Sequence, residues 1–480
     1  MSSLRVILFA AVAYVVSTHT VTAQSEGAKA SELRPNVLFL VIDDLNDWVG
    51  CLGGHPQTKT PNIDRLAARG VLFTNAHCQA PICNPSRVSM MTGRLPSTTG
   101  VYLLQPSRFR VSKALAKVKT LPEYFSAYGY HTMGGGKLYH GSTSQETFDE
   151  YGPRGTFGPL PKKNAKFNFK TGHRLWDWGE FPATDAETPD ARVADWAIKQ
   201  LKRKHDKPFF LAVGFFRPHV PMYAPPKWWK QLPAEKDIEL PPSMKGDRDD
   251  IPDYGKRLTQ GFPAPRHEWF VKNKQWRRAV RGYLACVSFV DNQVGRVMAE
   301  LDRSGYASNT IIVLCSDHGF HLGEKERWAK RSLWTRSTRV PLIVVPPGRN
   351  EATKCEKPVG LIDLYPTFVE LCGLPANKGL EGRSLVPLLR DRDAAWGRPI
   401  ITTFYKDNHS LRSGRWRYTR YADGSEELYD LRSDPHEWHN IASKPKRADV
   451  VRKLRRHLPT VNVEAVPGSK GLGGQIKGVK

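Results

Sequence analysis

Acidic residues are scarce in this chain: 47 Asp and Glu stand against 72 Lys and Arg, a formal charge of +25 over 480 residues. Cysteine is scarce too, with seven residues, which excludes a disulfide-dense framework. The odd number leaves at least one thiol unpaired unless a bridge joins two chains. A Cys355–Cys372 bridge stays open on spacing alone, and Cys315, at the end of an apolar run, reads as a buried thiol. Beyond the N-terminus no stretch approaches the roughly 18 consecutive apolar residues of a spanning helix, so stable membrane insertion is not expected. Internal repeats are lacking, and the 39 Gly and 36 Pro follow no period, which excludes a collagen-like chain. What is present is the composition of a globular protein, 40% hydrophobic and 25% charged. Its cation surplus favours polyanionic partners: nucleic acid, anionic membrane, or sulfated or phosphorylated polymers.

The first residues narrow that choice. Arg5 precedes a short acid-free apolar stretch, Val6 to Val16, and Val21-Thr22-Ala23 has the small-residue pattern of a cleavage site. Residues 1–23 are therefore expected to be a signal peptide, and the mature protein periplasmic or secreted. Export sets nucleic acid aside as a partner and raises sulfated polysaccharide.

Apolar runs alternate with segments of helical period, which predicts an α/β protein with a large, mostly parallel central sheet flanked by helices. Val37 to Ile42 is continuous rather than alternating, the pattern of a strand buried on both faces. A helix is expected from Pro61 to Gly70, capped by Thr60. Further strands are expected at Phe209–Val213, Thr310–Cys315 and Val340–Val345, and helices at Tyr283–Leu301 and Leu361–Leu371. The texture changes near Trp396. Leu411–Tyr421 and Glu427–Leu431 read as short antiparallel strands around a turn at Asp423-Gly424. The expected division is a catalytic α/β domain over 33–395, a small α+β domain over 396–465, and a flexible basic tail over 466–480. Residues 441–480 hold ten Lys or Arg against Asp449 and Glu464, either a solvated basic face or a polyanion contact.

Chemistry concentrates at strand ends. Asp43 and Asp44 follow the first buried strand directly, where adjacent carboxylates repel unless a cation lies between them. Open α/β sheets bind ligands at that edge. Asp317 and His318 end a second strand in the same fashion, and two such ends converging make an oxygen-rich site suited to Ca²⁺ or Mg²⁺. On its own residues, Cys83 reads as a buried or metal-binding thiol.

Cys83-Asn84-Pro85-Ser86-Arg87 followed by Thr92-Gly93-Arg94 resembles the type I sulfatase signature, C-x-P-S-R then T-G-R. The resemblance implies an alkaline-phosphatase-like fold and oxidation of Cys83 to formylglycine by a formylglycine-generating enzyme. The aldehyde hydrate carries two hydroxyls on one carbon. With a divalent cation lowering its pKa, one attacks sulfur and expels the alcohol, and the other collapses to release sulfate. Cys83 would then also belong to the metal site with Asp43, Asp44, Asp317 and His318, and Arg87 would lie near the hydrate. Gly136-Lys137-Leu138-Tyr139-His140 resembles the family's G-K-x-x-H segment, which implies that Lys137 binds a sulfate oxygen and His140 deprotonates the second hydroxyl. Pro218-His219-Val220-Pro221 resembles P-H-x-P, whose histidine contacts sulfate and protonates the leaving oxygen. Ser316-Asp317-His318-Gly319 with Trp328-Ala329-Lys330 resembles the segment of metal ligands and sulfate lysine. Glu427-Leu428-Tyr429-Asp430-Leu431 with Asp434-Pro435 is similar to the C-terminal domain signature.

One departure stands out. Many sulfatases have Asp-Asn where this chain has Asp317-His318, and imidazole is a softer ligand than an amide oxygen. The expected cation is Ca²⁺, with Mg²⁺ as the alternative and His318 at the edge of the site. The combination is most like the iduronate-2-sulfatase branch and its bacterial relatives, which implies a sulfated carbohydrate as substrate. Arg331, Arg336 and Arg339, just beyond Lys330, are candidates to line a pocket for uronate or neighbouring sulfates. His77, His131 and His321 are assigned to structure, and Trp328, Trp334 and Tyr102 to core packing rather than sugar stacking. Three alternatives stay open. One is a hydrolase of the same superfamily acting on choline sulfate, aryl sulfate, phosphodiester or phosphonate; another is a non-catalytic binder of sulfated glycans; the last is an exported nucleic-acid binder, for which the sequence offers charge but no module. The sequence does not specify the oligomeric state.

Overall fold

The computed structural model describes residues 34–141, 145–161, 175–260 and 264–470. The expected signal peptide and the last residues of the basic tail lie outside them. Eight strands form the main sheet: β1 (Asn36–Ile42), β2 (Val71–Phe73), β3 (His131–Gly136), β4 (Glu150–Arg154), β5 (Phe209–Phe215), β6 (Thr310–Ser316), β7 (Leu342–Val345) and β8 (Thr353–Cys355). Their order across the sheet is β8-β2-β7-β6-β1-β5-β3-β4. All neighbours run parallel except β7, which is antiparallel to both β2 and β6. Pro341 separates Arg339–Val340 from β7, so the single run expected over Val340–Val345 is two strands in two sheets. A proline has no N–H to donate to a ladder, and the pairing changes there.

The central strand shows why the apolar run is continuous. Leu38, Leu40 and Ile42 enter one core cluster, while Val37, Phe39 and Val41 enter another on the opposite face. Helices cover both faces: α1 (Pro61–Ala67), α3 (Pro189–Leu201) and α4 (Trp276–Arg303) on the first, α2 (Cys83–Thr92) and α5 (Leu364–Leu371) on the second. The α4 helix runs well beyond the expected Tyr283–Leu301 at its N-terminal end. Its opening turn, Trp276-Arg277-Arg278, is too polar to continue the apolar spacing, yet Trp276 packs against the core. Thr60 does not cap α1 as expected. Its hydroxyl accepts from the Gly50 N–H at 2.8 Å and donates to Asp64, while Asp291 of α4 accepts from the N–H groups of Asn62 and Ile63.

A second sheet is antiparallel, with β9 (Ile400–Thr403), β10 (His409–Ser413), β11 (Trp416–Arg420) and β12 (Glu426–Asp430) in sequence order. The run expected as one strand over Leu411–Tyr421 is a hairpin that turns at Gly414, and α6 (Ala448–Arg455) packs on this sheet. All seven cysteines are free thiols. Cys355 and Cys372 share a core cluster without bonding, so the bridge left open by spacing is not formed; Cys315 is fully buried.

Candidate active site

Strands β1 and β6 lie side by side with Ile42 opposite Ser316, so the chain leaves both at the same carboxyl edge. That register brings Asp43-Asp44 against Asp317-His318, all four without solvent exposure. Backbone bonds fix the junction. The Asp44 N–H donates to Asp317 Oδ1 at 3.2 Å, Leu45 N–H donates to Ser316 Oγ at 3.0 Å, and Tyr283 of α4 donates its hydroxyl to the Asp44 carbonyl at 2.8 Å. Asp44 takes a φ of 61°, a left-handed conformation that aspartate tolerates better than most residues.

Cys83 is the first residue of α2, buried, and its Sγ lies 3.3 Å from His318 Nε2 and 3.6 Å from Lys137 Nζ. The rest of the signature builds the support. Asn84 Nδ2 donates to the Leu103 carbonyl at 2.8 Å, Ser86 Oγ to the Asp317 carbonyl, and Gly93 ends α2 in the left-handed region at φ 65°. Arg87, one turn from Cys83, is fully buried. Its Nε is 2.8 Å from Asp317 Oδ2 and its Nη2 3.2 Å from Asp43 Oδ1, while Nη1 donates to the Lys137 carbonyl. It stands against the carboxylates close to Cys83, whose thiol is among the charges acting on it, and does not itself line the cavity.

Lys137 follows the glycine run that ends β3. Glycine is required there: a Cβ on Gly136, whose φ is 82°, would lie 1.8 Å from the Gly214 carbonyl oxygen. Lys137 Nζ pairs with Asp43, and Lys330 Nζ reaches both oxygens of Asp44 at 2.6 and 2.7 Å. His219, beyond β5, has Nδ1 2.6 Å from the Val220 carbonyl and Nε2 3.9 Å from Asp44 Oδ2. His140 Nδ1 is buried and has no hydrogen-bond partner among the described residues.

Burial and close charges set the protonation states. Burial raises the Asp43 carboxyl, but Lys137, His219 and Arg87 outweigh it and hold the group well below its usual range. For Asp44 burial wins, Lys330 opposes it, and Asp43 adds repulsion, so the carboxyl is pushed up to about 7. His318 is pushed up to about 9: burial opposes its charge, but Asp317, Cys83 and Asp44 favour it. Burial and Lys137 hold His140 down at about 3, and burial with Lys330 holds His219 well below its usual value. Burial and Asp43 raise the Cys83 thiol, yet Lys137, Lys330 and His318 bring it below its ordinary value.

The donors suit a hard dication. Two overlapping sets, Asp43/Asp44/Cys83/His219 and Asp43/Cys83/Asp317/His318, each place their ligand atoms within 4.8 Å of one another. Carboxylates are two of the four ligands in each set, and Asp43, Asp44 and Asp317 together supply the oxygen donors that Ca²⁺ and Mg²⁺ take. The Asp44 carboxyl is raised chiefly by burial and then by Asp43, against the pull of Lys330, and a bound cation would favour its ionised form.

A cavity of about 460 Å³ opens onto this cluster, lined by Cys83, Lys137, His140, His219 and Lys330 among others. Arg331 lines it as well. Arg336 and Arg339 do not: both are tied to Asp47, Arg336 also to Glu324, and they serve the framework beneath the site. His77 and His321 hydrogen-bond within the core, Trp328 stacks on Phe270, Trp334 donates to Glu427, and Tyr102 donates to the Val463 carbonyl. The cavity's remaining wall escaped sequence reasoning. Arg154, Phe157 and Trp176 come from segments with neither motif nor period, and only the folded chain brings them to the site.

Three comparisons bear on this geometry. A sulfatase family model matches residues 35–374, and one for the C-terminal part of N-sulphoglucosamine sulphohydrolase matches residues 323–464. A sulfatase of Formosa agariphila is 42% identical over 89% of this chain and 87% of its own length. Human iduronate 2-sulfatase is 33% identical, covering 87% of this chain and 93% of its own. A solved structure of a protein bound to its substrate D-glucosamine-2-N,6-O-disulfate superposes with a TM-score of 0.70 at 22% identity, covering 88% of this chain and 96% of that one.

Proposed function

Since the chain belongs to the sulfatase family and is a sulfuric ester hydrolase, we propose that it removes O-sulfate from a sulfated carbohydrate. In this reading Cys83 is matured to formylglycine by a formylglycine-generating enzyme. A divalent cation, Ca²⁺ before Mg²⁺, is held by Asp43, Asp44, Asp317 and His318 next to residue 83. The observation that carries the reading is one buried cluster in which Cys83 faces Lys137 and His318 at the floor of a cavity that His140, His219 and Lys330 also line.

The cation supplies Lewis-acid stabilisation of an attacking oxygen. An aldehyde at position 83 supplies two hydroxyls through its hydrate, so that sulfate leaves without water attacking sulfur. The chain's own side chains do the rest. Lys137 and Lys330 hold two oxygens of the sulfate, and preorganised cations stabilise charge that grows there. Burial keeps His140 neutral, the state in which its ring accepts a proton. His219, with Nδ1 at the Val220 carbonyl, turns Nε2 toward the site. Burial and Lys330 keep its ring neutral without substrate, and Asp43 together with the incoming sulfate opposes that shift, so the proton given to the leaving oxygen is taken up as the anion binds. Arg87 holds Asp43, Asp317 and the Lys137 backbone in register as a positioning residue.

The substrate class rests on the cation surplus, on Arg331 in the cavity wall, and on the relatives: iduronate 2-sulfatase takes its name from a sulfated uronate, and the solved relative binds a sulfated glucosamine. An acidic sulfated sugar fits best. Export to the periplasm or medium belongs to the same reading; no helix of the described residues is long and apolar enough to cross a membrane. Side-by-side turnover of a uronate 2-sulfate, choline sulfate, an aryl sulfate and an aryl phosphodiester tests it. The sulfated sugar is expected to have the highest kcat/KM, and preference for the phosphodiester or choline sulfate would overturn the assignment.

A further inference from the structure

Strand directions extend the carboxyl edge of the sheet beyond the catalytic cluster. Because β7 is antiparallel to both neighbours, β2 and β8 run in the same sense as β1 and β6, and their ends open on the same edge. By the usual spacing of paired strands, the β2/β8 end lies roughly 15 Å from the β1/β6 end. Two clefts are found there, of about 760 and 410 Å³, both bordered by Glu356 and Gly414. Residues at the ends of β2 and β8 and from the β10–β11 hairpin line them, together with residues from 392–398 in the larger cleft and from 431–435 in the smaller.

Their charge is one-sided. Each cleft is lined by four lysines or arginines, against Glu356 and Asp393 as the only acids lining the pair. Half of the cations are tied to carboxylates; Arg339, for example, pairs with Asp47. The other half, Lys354, Lys357, Arg412 and Arg432, have no carboxylate at ion-pair distance among the described residues. Arg412 is the telling one. It is half-buried at the hairpin, its Nη1 donates to the carbonyls of Gly414 and Trp416, and burial with nearby Arg417 pushes its pKa down to about 10 against the weaker pull of Glu437. A guanidinium held out of water beside another cation gains from an anion.

We propose that the joined clefts bind a sulfated polysaccharide, gripping a stretch of the chain several sugars away from the ester being cleaved in the cavity. The proposal rests on the carbohydrate-sulfate reading above for its ligand. Sulfate groups repeated along a polymer match cations spaced along one edge. The clefts and the cavity are built at strand ends on that edge, a separation that a chain of several sugars spans, and a second contact on one chain raises the effective concentration of the first.

The test compares the Lys354→Gln/Lys357→Gln/Arg432→Gln triple variant, changed at exposed or half-exposed positions, with the single Arg412→Gln variant and the unchanged enzyme. The probes are a heparin dodecasaccharide, a DNA duplex of equal charge and an aryl sulfate. The triple variant is expected to bind the dodecasaccharide about tenfold more weakly, with a flatter salt dependence, and to keep its kcat/KM on aryl sulfate. Arg412→Gln should lose dodecasaccharide affinity in the same direction. Unchanged dodecasaccharide affinity in the triple variant overturns the proposal, as does an equal loss against DNA, which would make the clefts a general polyanion surface. Failure of the enzyme to turn over any sulfated sugar, with dodecasaccharide binding still lost in the variants, would sink the carbohydrate-hydrolase reading and leave this binding site standing.

Discussion

Lys137 and Lys330 each lean on one of two adjacent aspartates, and this pairing sets what single substitutions should do. Removing Lys330 leaves Asp44 buried without its nearest cation and removes a donor to sulfate. Lys330→Ala should lower kcat/KM by about 100- to 1,000-fold, the scale for one preorganised electrostatic donor. Retention of more than half the activity would contradict its role. The metal ligands separate in a different measurement. Asp317→Asn is expected to reduce bound calcium per chain in elemental analysis, whereas His318→Asn should leave it near the unchanged protein's value, because an amide oxygen suits a hard cation. Equal loss in both would place His318 at the centre of the site. Several of these residues were legible in the sequence because acids directly after buried strands must meet at one edge. The outward or inward sense of a side chain was not legible. Arg87 lies one turn from Cys83 and stands against the carboxylates without lining the cavity, and Arg331 parts from Arg336 and Arg339 because their partner, Asp47, comes from a distant segment.

Strand ends position the site only because backbones approach closely there. Gly214, near the end of β5, is such a point: a Cβ would lie 2.2 Å from the Lys137 carbonyl oxygen. Gly214→Ala should force β3 and β5 apart, cost about 3 kcal/mol in unfolding free energy, and lower kcat/KM by displacing Lys137. Gly305→Ala, where a Cβ meets nothing within 4 Å, is the matched control and should change neither. An unaltered melting temperature in the Gly214 variant would contradict the account. The long apolar strands were readable from their composition, since burial on both faces leaves no room for polar residues. The β10–β11 hairpin was not. Ser413-Gly414 is a turn dipeptide, but it falls inside the single strand expected from Leu411 to Tyr421, and the register becomes visible only when the two strands pair.

At the scale of the whole molecule, two apolar layers share one sheet, and many histidines are buried in or beside them. Burial lowers His409 from its usual 6.5 to about 4, and His77 and His321 shift in the same direction. Above pH 6.5 His409 is neutral in both folded and unfolded states, and its contribution to stability is complete. Between 6.5 and 4 the unfolded chain binds a proton that the folded one refuses, so stability falls with pH by about 3 kcal/mol from this residue. Denaturant titrations across that window should show the loss, and His409→Gln should flatten it by about one proton. A pH-independent midpoint would contradict the burial argument. The fold class was legible at this scale from alternating strand and helix patterns, but the joined basic clefts were not, because their cations are scattered from Arg339 to Arg432 and only the sheet order collects them.

The most direct measurement is mass spectrometry of the tryptic peptide carrying Cys83, taken from enzyme that is turning over sulfate ester. The account predicts the mass of an aldehyde or its hydrate at position 83, with activity proportional to the converted fraction. A fully active protein that retains an unmodified thiol at this residue would contradict it.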